Sequence, residues 1–233
     1  AVGAEDVQVP RLKLAQLISN EVKNGDPQYI ENCVGGDYFH SATRELYGNK
    51  LYVVNVFYKM MFNVWKDRKE QNGGLIGSFE TETEAQAAYN DACTAARIPL
   101  DDTELMEKNF QLKRTGVHYL MVINPDTGEA TPVIFDMDSS KLKVSKRWTS
   151  AINSLKGDRY SHVWELSSVT ETNDRNEKYY NTEFKDLGFV NKALMDTAVE
   201  AHGNITADNA GCLEHTGYAP ALEDNSREEK AVN

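Results

Sequence analysis

The chain has 233 residues, 26% of them charged and 40% hydrophobic, with a formal net charge of −11. The length suits one large domain or two small ones, each able to bury a core, and no stretch approaches the roughly 18 consecutive apolar residues of a membrane span. Taken as an average, the charge argues against a polyanionic partner.

Residues 1–35 read as a loosely structured lead-in with one short apolar run, Leu12 to Ile18, and turn signals at Asn24-Gly25-Asp26-Pro27. A hairpin is predicted from Gly36–Thr43 and Lys50–Tyr58, both rich in aromatic and β-branched residues, with Arg44–Asn49 as its loop. The second run continues through Trp65 and is long enough for a bent strand. Asn72-Gly73-Gly74 then turns the chain into Leu75–Phe79. Thr83–Ala92 predicts a helix with a threonine as its N-cap.

Val117–Ile123 and Thr131–Phe135, joined by Asn124-Pro125-Asp126-Thr127-Gly128, form the clearest hairpin. Ser139-Ser140 caps a predicted helix from Lys141 to about Leu155, in which Val144, Trp148, Ile152 and Leu155 make one apolar stripe. A last strand pair spans Tyr160–Thr170 and Tyr179–Phe189. Ala193–Ala201 reads as a short helix and 203–233 as frayed and polar. The expected fold is mainly β with helical insertions (α+β), an OB-like barrel of five to seven strands. Its divisions are a lead-in over 1–35, a barrel over 36–202 with a helical insert at 80–107, and a flexible acidic tail over 203–233.

Charge is unevenly placed along this order. Residues 79–107 hold eight acids against Arg97 alone, and residues 193–233 hold eight acids against two bases. The rest of the chain is slightly basic, with its bases clustered at Lys59, Lys66, Arg68 and Lys69 and again along 141–159. The acidic excess therefore sits on an insert and a tail, and the average does not exclude nucleic acid.

Sequence signals for chemistry are sparse. Cys33, Cys93 and Cys212 are widely spaced with no Cys-x-x-Cys, which fits reduced thiols better than a disulfide framework or a zinc site. The five histidines show no His-x-x-x-His, and Gly73–Gly77 is followed by no Lys-Ser/Thr, so it is not a phosphate loop. Asp136-x-Asp138 could hold magnesium, yet it directly precedes a helix, where acids complement the dipole. No enzyme, metal site or cofactor is expected. The opening Ala1-Val2-Gly3-Ala4-Glu5-Asp6 lacks a secretory pattern, and residue 1 reads as a processed or trimmed end.

The stretch Tyr58–Lys69 interleaves bases with aromatic rings, the two ingredients of sequence-tolerant single-strand binding. Alternation puts Tyr58, Met60, Phe62 and Val64 on one face and Lys59, Met61, Asn63 and Trp65 on the other. Only the second face joins a lysine to a large ring, so Lys59 and Trp65 are favoured for binding and Phe62 for the core. The same run also reads as a core strand ending in a charged loop. On the 141–155 helix, Trp148 falls on the stripe, whereas Lys143, Lys146 and Arg147 lie off it.

This layout resembles that of T7-type phage single-stranded DNA-binding proteins, in element order over residues 36–190 and in the acidic tail. The resemblance implies an OB barrel interrupted by a helix, a host-cytoplasmic phage protein of replication or recombination, and protein partners docked through the tail. The tail here departs from the family's pattern: Glu223–Asn233 is diluted by Arg227 and Lys230 and ends in asparagine. The expected binding set is Lys59, Trp65, Lys66, Arg68, Lys69, Lys113, Arg114, Tyr119, Lys143, Lys146, Arg147 and Tyr180. Single-stranded DNA is the expected partner, with no membrane and with a homodimer as the assembly to test. The alternatives are a phage structural or assembly protein, or a metal-dependent nuclease using Asp136 and Asp138.

Overall fold

The long apolar–aromatic run does form one strand, and it organises everything else. The computed structural model describes residues 10–67 and 73–211. Four strands come first: β1 (Leu12–Leu14), β2 (Tyr38–His40), β3 (Leu46–Gly48) and the 17-residue β4 (Lys50–Lys66). They are followed by β5 (Gly74–Phe79), α1 (Glu82–Ala95), α2 (Thr103–Asn109), β6 (Phe110–Ile123) and β7 (Ala130–Met137). The described residues end with α3 (Ser139–Ser154), β8 (His162–Thr172), β9 (Lys178–Phe189) and α4 (Lys192–Gly211).

Among the described residues all strand pairing is antiparallel apart from one isolated bridge, Arg11 to Ile134, and it makes two sheets. The large sheet runs β7-β6-β4-β8-β9, with β5 beside the far end of β4. β6 pairs along almost the whole of β4, from Tyr52↔Ile123 to Lys66↔Phe110. On β4's other side, β8 takes Lys50–Val54 and β5 takes Phe62–Lys66. The small sheet is β1-β2-β3. This α+β, mainly β architecture is not the expected OB-like barrel. Among the described residues β7 and β9 end the large sheet on opposite sides and do not pair with each other, so the sheet stays open.

Two further expectations change. Residues 38–40 pair with 46–48 on one side and with β1 on the other, rather than with β4. A boundary at residue 36 would therefore cut through the small sheet. The helix expected over 193–201 runs on to Gly211, held by the fully buried Ala198. The rest of the expected tail, with Cys212, lies outside the described residues.

Among the described residues, four apolar clusters hold these layers together. The largest gathers Leu12, Tyr38, Leu51, Val53, Leu120, Phe135, Trp148, Trp164 and Leu166 between α3, the large sheet and the small one. A second buries Val64, Phe110, Ala85, Tyr89, Cys93 and Met106 where α1 and α2 cover the far end of β4–β6. A third, around Ile30, Cys33 and Phe39, lies under the N-terminal loops, and α4 closes the fourth over Val54, Val56 and Met121. α1 is capped by Thr81, whose hydroxyl accepts from Glu84 N (3.3 Å). α2, which no sequence pattern announced, is capped by Asp102.

Both ends of the large sheet are blunted. Along β7, Ile134 N donates to Pro10 O (2.8 Å), and Arg11 pairs with Asp136. Along β9, side chains satisfy edge amides. Gln16 Oε1 accepts from Tyr180 N (2.8 Å) while Gln16 Nε2 donates to Tyr180 O (3.0 Å). Thr182 N donates to Asn181 Oδ1 and Gly188 N to Asp186 Oδ1, both at 2.8 Å. Such devices suppress strand addition from other chains.

The Tyr180 ring lies flat on the chain at Gly35-Gly36, and a Cβ at Gly36 would come within 2.9 Å of it. Gly36 also sits at φ +95°, where an L side chain is strained. Gly36→Ala is expected to cost about 2–3 kcal/mol, seen as a lower urea midpoint with an unchanged m-value.

Candidate nucleic-acid interface

Directly opposed residues of an antiparallel pair share a face, so the β4–β6 register sorts every side chain of the ribbon. One face is marked by Gly116, where a Cβ would run into Ser145 Oγ of α3. It carries Tyr58, Met60, Phe62 and Val64 of β4, opposite His118, Gly116, Arg114 and Leu112 of β6. Phe62 and Leu112 pack here against the cluster under α1 and α2. On this face the expectation that Phe62 belongs to the core agrees with the packing.

The other face carries five rows: Phe57–Tyr119, Lys59–Val117, Met61–Thr115, Asn63–Lys113 and Trp65–Gln111. It extends over roughly 27 Å at about 3.3 Å per residue. At the α4 end, Phe57 and Tyr119 meet edge to face (5.6 Å), and Phe57 leans toward His202 of α4 (6.1 Å). Past that point, Thr115 and Val117 are buried at 4% and 8% exposure, and none of Lys59, Met61, Asn63, Trp65 and Lys113 belongs to an apolar cluster. Lys59, Met61, Asn63, Trp65 and Lys113 are all partly exposed. Asn63 Nδ2 donates to Thr115 Oγ1 (2.9 Å), fixing the middle of the surface. Glu80, just after β5, reaches Lys59 at 3.6 Å.

The expected binding residues do not all converge. Lys59, Trp65, Lys113 and Tyr119 share the face turned away from α3. Lys66 and Arg114 point to the opposite one, beside Phe110 and Phe62. Arg114 is moreover held by both carboxylate oxygens of Glu82 (2.6 and 2.7 Å) and lies over the Phe62 ring (5.7 Å). Lys143, Lys146 and Arg147 are exposed on α3, which covers that opposite face; Arg147 stacks on Phe184 (5.7 Å). The Tyr180 ring is taken up by its packing on Gly35-Gly36. Arg68 and Lys69 lie outside the described residues.

Met61 and Asn63 complete the surface, with the buried Thr115 holding Asn63 from beneath, and none of the three was among the expected residues. Alternation already placed the first two beside Lys59, but Thr115 becomes visible only through the strand register.

One buried constellation has the outline of a catalytic triad. Asn55, His118 and Ser145 are fully buried, with the Asn55 amide 2.9 Å from His118 Nδ1 and Ser145 Oγ 2.8 Å from Nε2. Arg159 Nη1 donates to Asn55 Oδ1 (3.5 Å), which leaves the amide nitrogen facing Nδ1. The network thus assigns the imidazole proton to Nε2, as donor to Ser145. A base would need that nitrogen's lone pair, so the trio cannot activate the serine. Burial pushes the His118 pKa down to about 3, and the imidazole stays neutral.

Of the acidic pair, Asp136 is engaged by Arg11, while Asp138 stands at the N-cap position of α3 without a side-chain capping bond. Among the described residues no three His, Cys, Asp or Glu side chains gather as a metal site. The thiols of Cys33 and Cys93 are buried and unpaired, and burial raises Cys33 to about 11, far from a reactive thiolate.

The model of the Pam3 phage gp34-like protein family matches residues 1–210. The chain belongs to that family. Its phage character agrees with what the resemblance implied, while the match does not extend to T7-type single-stranded DNA-binding proteins. No curated protein and no solved structure matches the chain. Among the described residues of this Pam3 phage gp34-like chain, no helix is long and apolar enough to cross a membrane.

Proposed function

We propose that this phage protein binds single-stranded DNA, without regard to base sequence, along the face of the β4–β6 ribbon turned away from α3. The observation that carries the reading is the grouping of Lys59, Met61, Lys113 and Trp65 on one extended, partly exposed surface outside every apolar cluster. The chemistry suits a flexible polyanion. Lysines neutralise phosphates and release counterions, and a flat indole stacks on any base. No closed barrel is required, because one face of a long two-stranded ribbon offers the same platform. The blunted edges of β7 and β9 weigh against the rival reading, a structural protein assembling strand to strand.

The test is a titration with oligo(dT) at low salt, read by intrinsic fluorescence. Of the three tryptophans, Trp148 and Trp164 are buried at 0% and 2% exposure, so quenching on binding reports Trp65. Saturable binding at micromolar protein is expected, weakening as salt rises. Followed with a labelled oligonucleotide, Trp65→Ala should lose about 1–3 kcal/mol, and Lys113→Gln should flatten the salt slope by about 0.7. Lys146→Gln, on α3, should leave both nearly unchanged. No saturable binding, or binding indifferent to salt, would sink the proposal.

A further inference from the structure

The ion pair at the edge of this face has a geometry that suggests control. β5 ends at Phe79, opposite Phe62 and packed beside the α1 cluster. Two residues later the chain is fixed again, by the Thr81 cap on Glu84 N and by the grip of Glu82 on Arg114. Glu80 lies between these anchors. Its backbone is thus held at both sides, while its side chain is 61% exposed and reaches Lys59 at 3.6 Å. The neighbouring carboxylates therefore divide between the two faces of the ribbon. Glu80 meets a cation on the face turned away from α3, and Glu82 meets one on the face under the helices.

We infer that Glu80 is an internal stand-in for a nucleic-acid phosphate at Lys59, one that binding must displace and that thereby holds affinity down. The inference rests on the proposed function. A carboxylate and a phosphate oxygen ask the same of an ammonium group, a compact anion within about 4 Å. Because the Glu80 backbone is already anchored, little ordering entropy opposes the internal contact. Displacement leaves the carboxylate near incoming phosphates, which adds repulsion to the lost pair. The acidic insert is then a brake built from one residue, rather than from its total charge.

The experiment compares oligo(dT) affinity at low salt for the wild type, Glu80→Gln, Glu82→Gln, Lys59→Gln and the Lys59→Gln/Glu80→Gln double variant. Glu80→Gln should bind about two- to fivefold tighter, the range set by exposed ion pairs. Glu82→Gln makes the same change in net charge on the opposite face and should move affinity little. The gain from Glu80→Gln should vanish in the Lys59→Gln background, which isolates the contact from the general field.

Equal affinity of wild type and Glu80→Gln overturns the inference and leaves the binding proposal standing. So does an equal gain from Glu82→Gln, or a gain that persists without Lys59. Binding by Glu80→Gln alone supports the brake in its strongest form. Absence of binding by both the wild type and Glu80→Gln overturns the inference and the proposed function together.

Discussion

Replacing Trp148 by alanine is expected to cost about 3–5 kcal/mol, the range for large aromatic side chains removed from a core. Trp148 is fully buried on the inner stripe of α3 with Val144 and Ile152. Its indole stacks on His118 (4.9 Å, 22°) and Phe184 (6.0 Å, 21°) and meets Trp164 edge to face (6.0 Å, 74°). It is therefore the piece that joins α3, β6, β8 and β9 in one stack.

Among the described residues its Nε1 has no hydrogen-bond partner, so the indole contributes through packing and ring contacts. That makes a second, sharper expectation available. Trp148→Phe keeps a flat ring and loses no hydrogen bond, so most of the stability should return. Against a usual total of about 5–15 kcal/mol, the alanine variant loses a large fraction. Urea unfolding of both variants checks the pair of values. A phenylalanine variant as unstable as the alanine one would mean that the indole nitrogen has a partner after all.

Mild acid is the second strong perturbation. In the unfolded chain His118 titrates near its ordinary value, whereas in the fold burial holds it near 3, with the Arg159 cation adding to the shift. The folded pKa is depressed, so the neutral form's stabilisation is complete above about pH 6.5 and is lost progressively as pH falls toward 3. Between pH 7.5 and pH 5 the loss should be about 2 kcal/mol, from a 1.5-unit fall below the unfolded pKa at about 1.4 kcal/mol per unit.

Carboxylates contribute little in this window. Asp186, bonded to His162 and Gly188 N, and Glu171, bonded to Tyr179 and Asn181, are both shifted down and lose stability only at lower pH. His40, also lowered by burial, acts in the same direction as His118. Urea unfolding at the two pH values, compared between wild type and His118→Gln, isolates the larger share. The variant should be less stable at pH 7.5, because Asn55 loses its acceptor, yet flatter with pH. Equal pH dependence in both proteins would remove His118 as the cause.

Local periodicity accounts for what was legible without coordinates. The long run through Trp65, the Asn124–Gly128 turn and the 4-4-3 stripe ending at Leu155 each declare themselves within a few turns or strand steps. β4, the β6–β7 hairpin, the β8–β9 pair and α3 follow from them. Strand order does not follow, because β4 takes β6, β8 and β5 as neighbours and none of those choices is written in a short window. The same non-locality broke the barrel expectation and hid the small sheet, whose strands have three residues each.

The site divides along the same line. Lys59 and Trp65 were found by alternation within one strand. The α3 lysines and Arg147 were grouped with them by charge, although which sheet face a helix covers depends on contacts such as Gly116 against Ser145. Tyr180 looked available for the same reason, since nothing near it in sequence announces the glycine pair far upstream on which its ring rests. Arg114 looked available until Glu82, across the ribbon, came into view.

The register of β4 contains one irregularity with wider reach. Asn55 faces Leu120 and Phe57 faces Tyr119, so Val56 is an extra residue, a bulge, in an otherwise even pairing. Before it, odd-numbered side chains look toward α3; after it, even-numbered ones do. The extra residue lets Asn55 and Tyr58, three apart in number, both meet His118, one through its amide and the other ring to ring (4.8 Å). Deleting Val56 would make the pairing even, with Asn55 still opposite Leu120 and Phe57 opposite Tyr119, so each face of the ribbon would keep its side chains. The loss would be local: the valine side chain from the cluster under α4, and the bend that a bulge gives its strand. Relatives one residue shorter between positions 54 and 57 would thus still present Lys59, Met61 and Trp65 on one face.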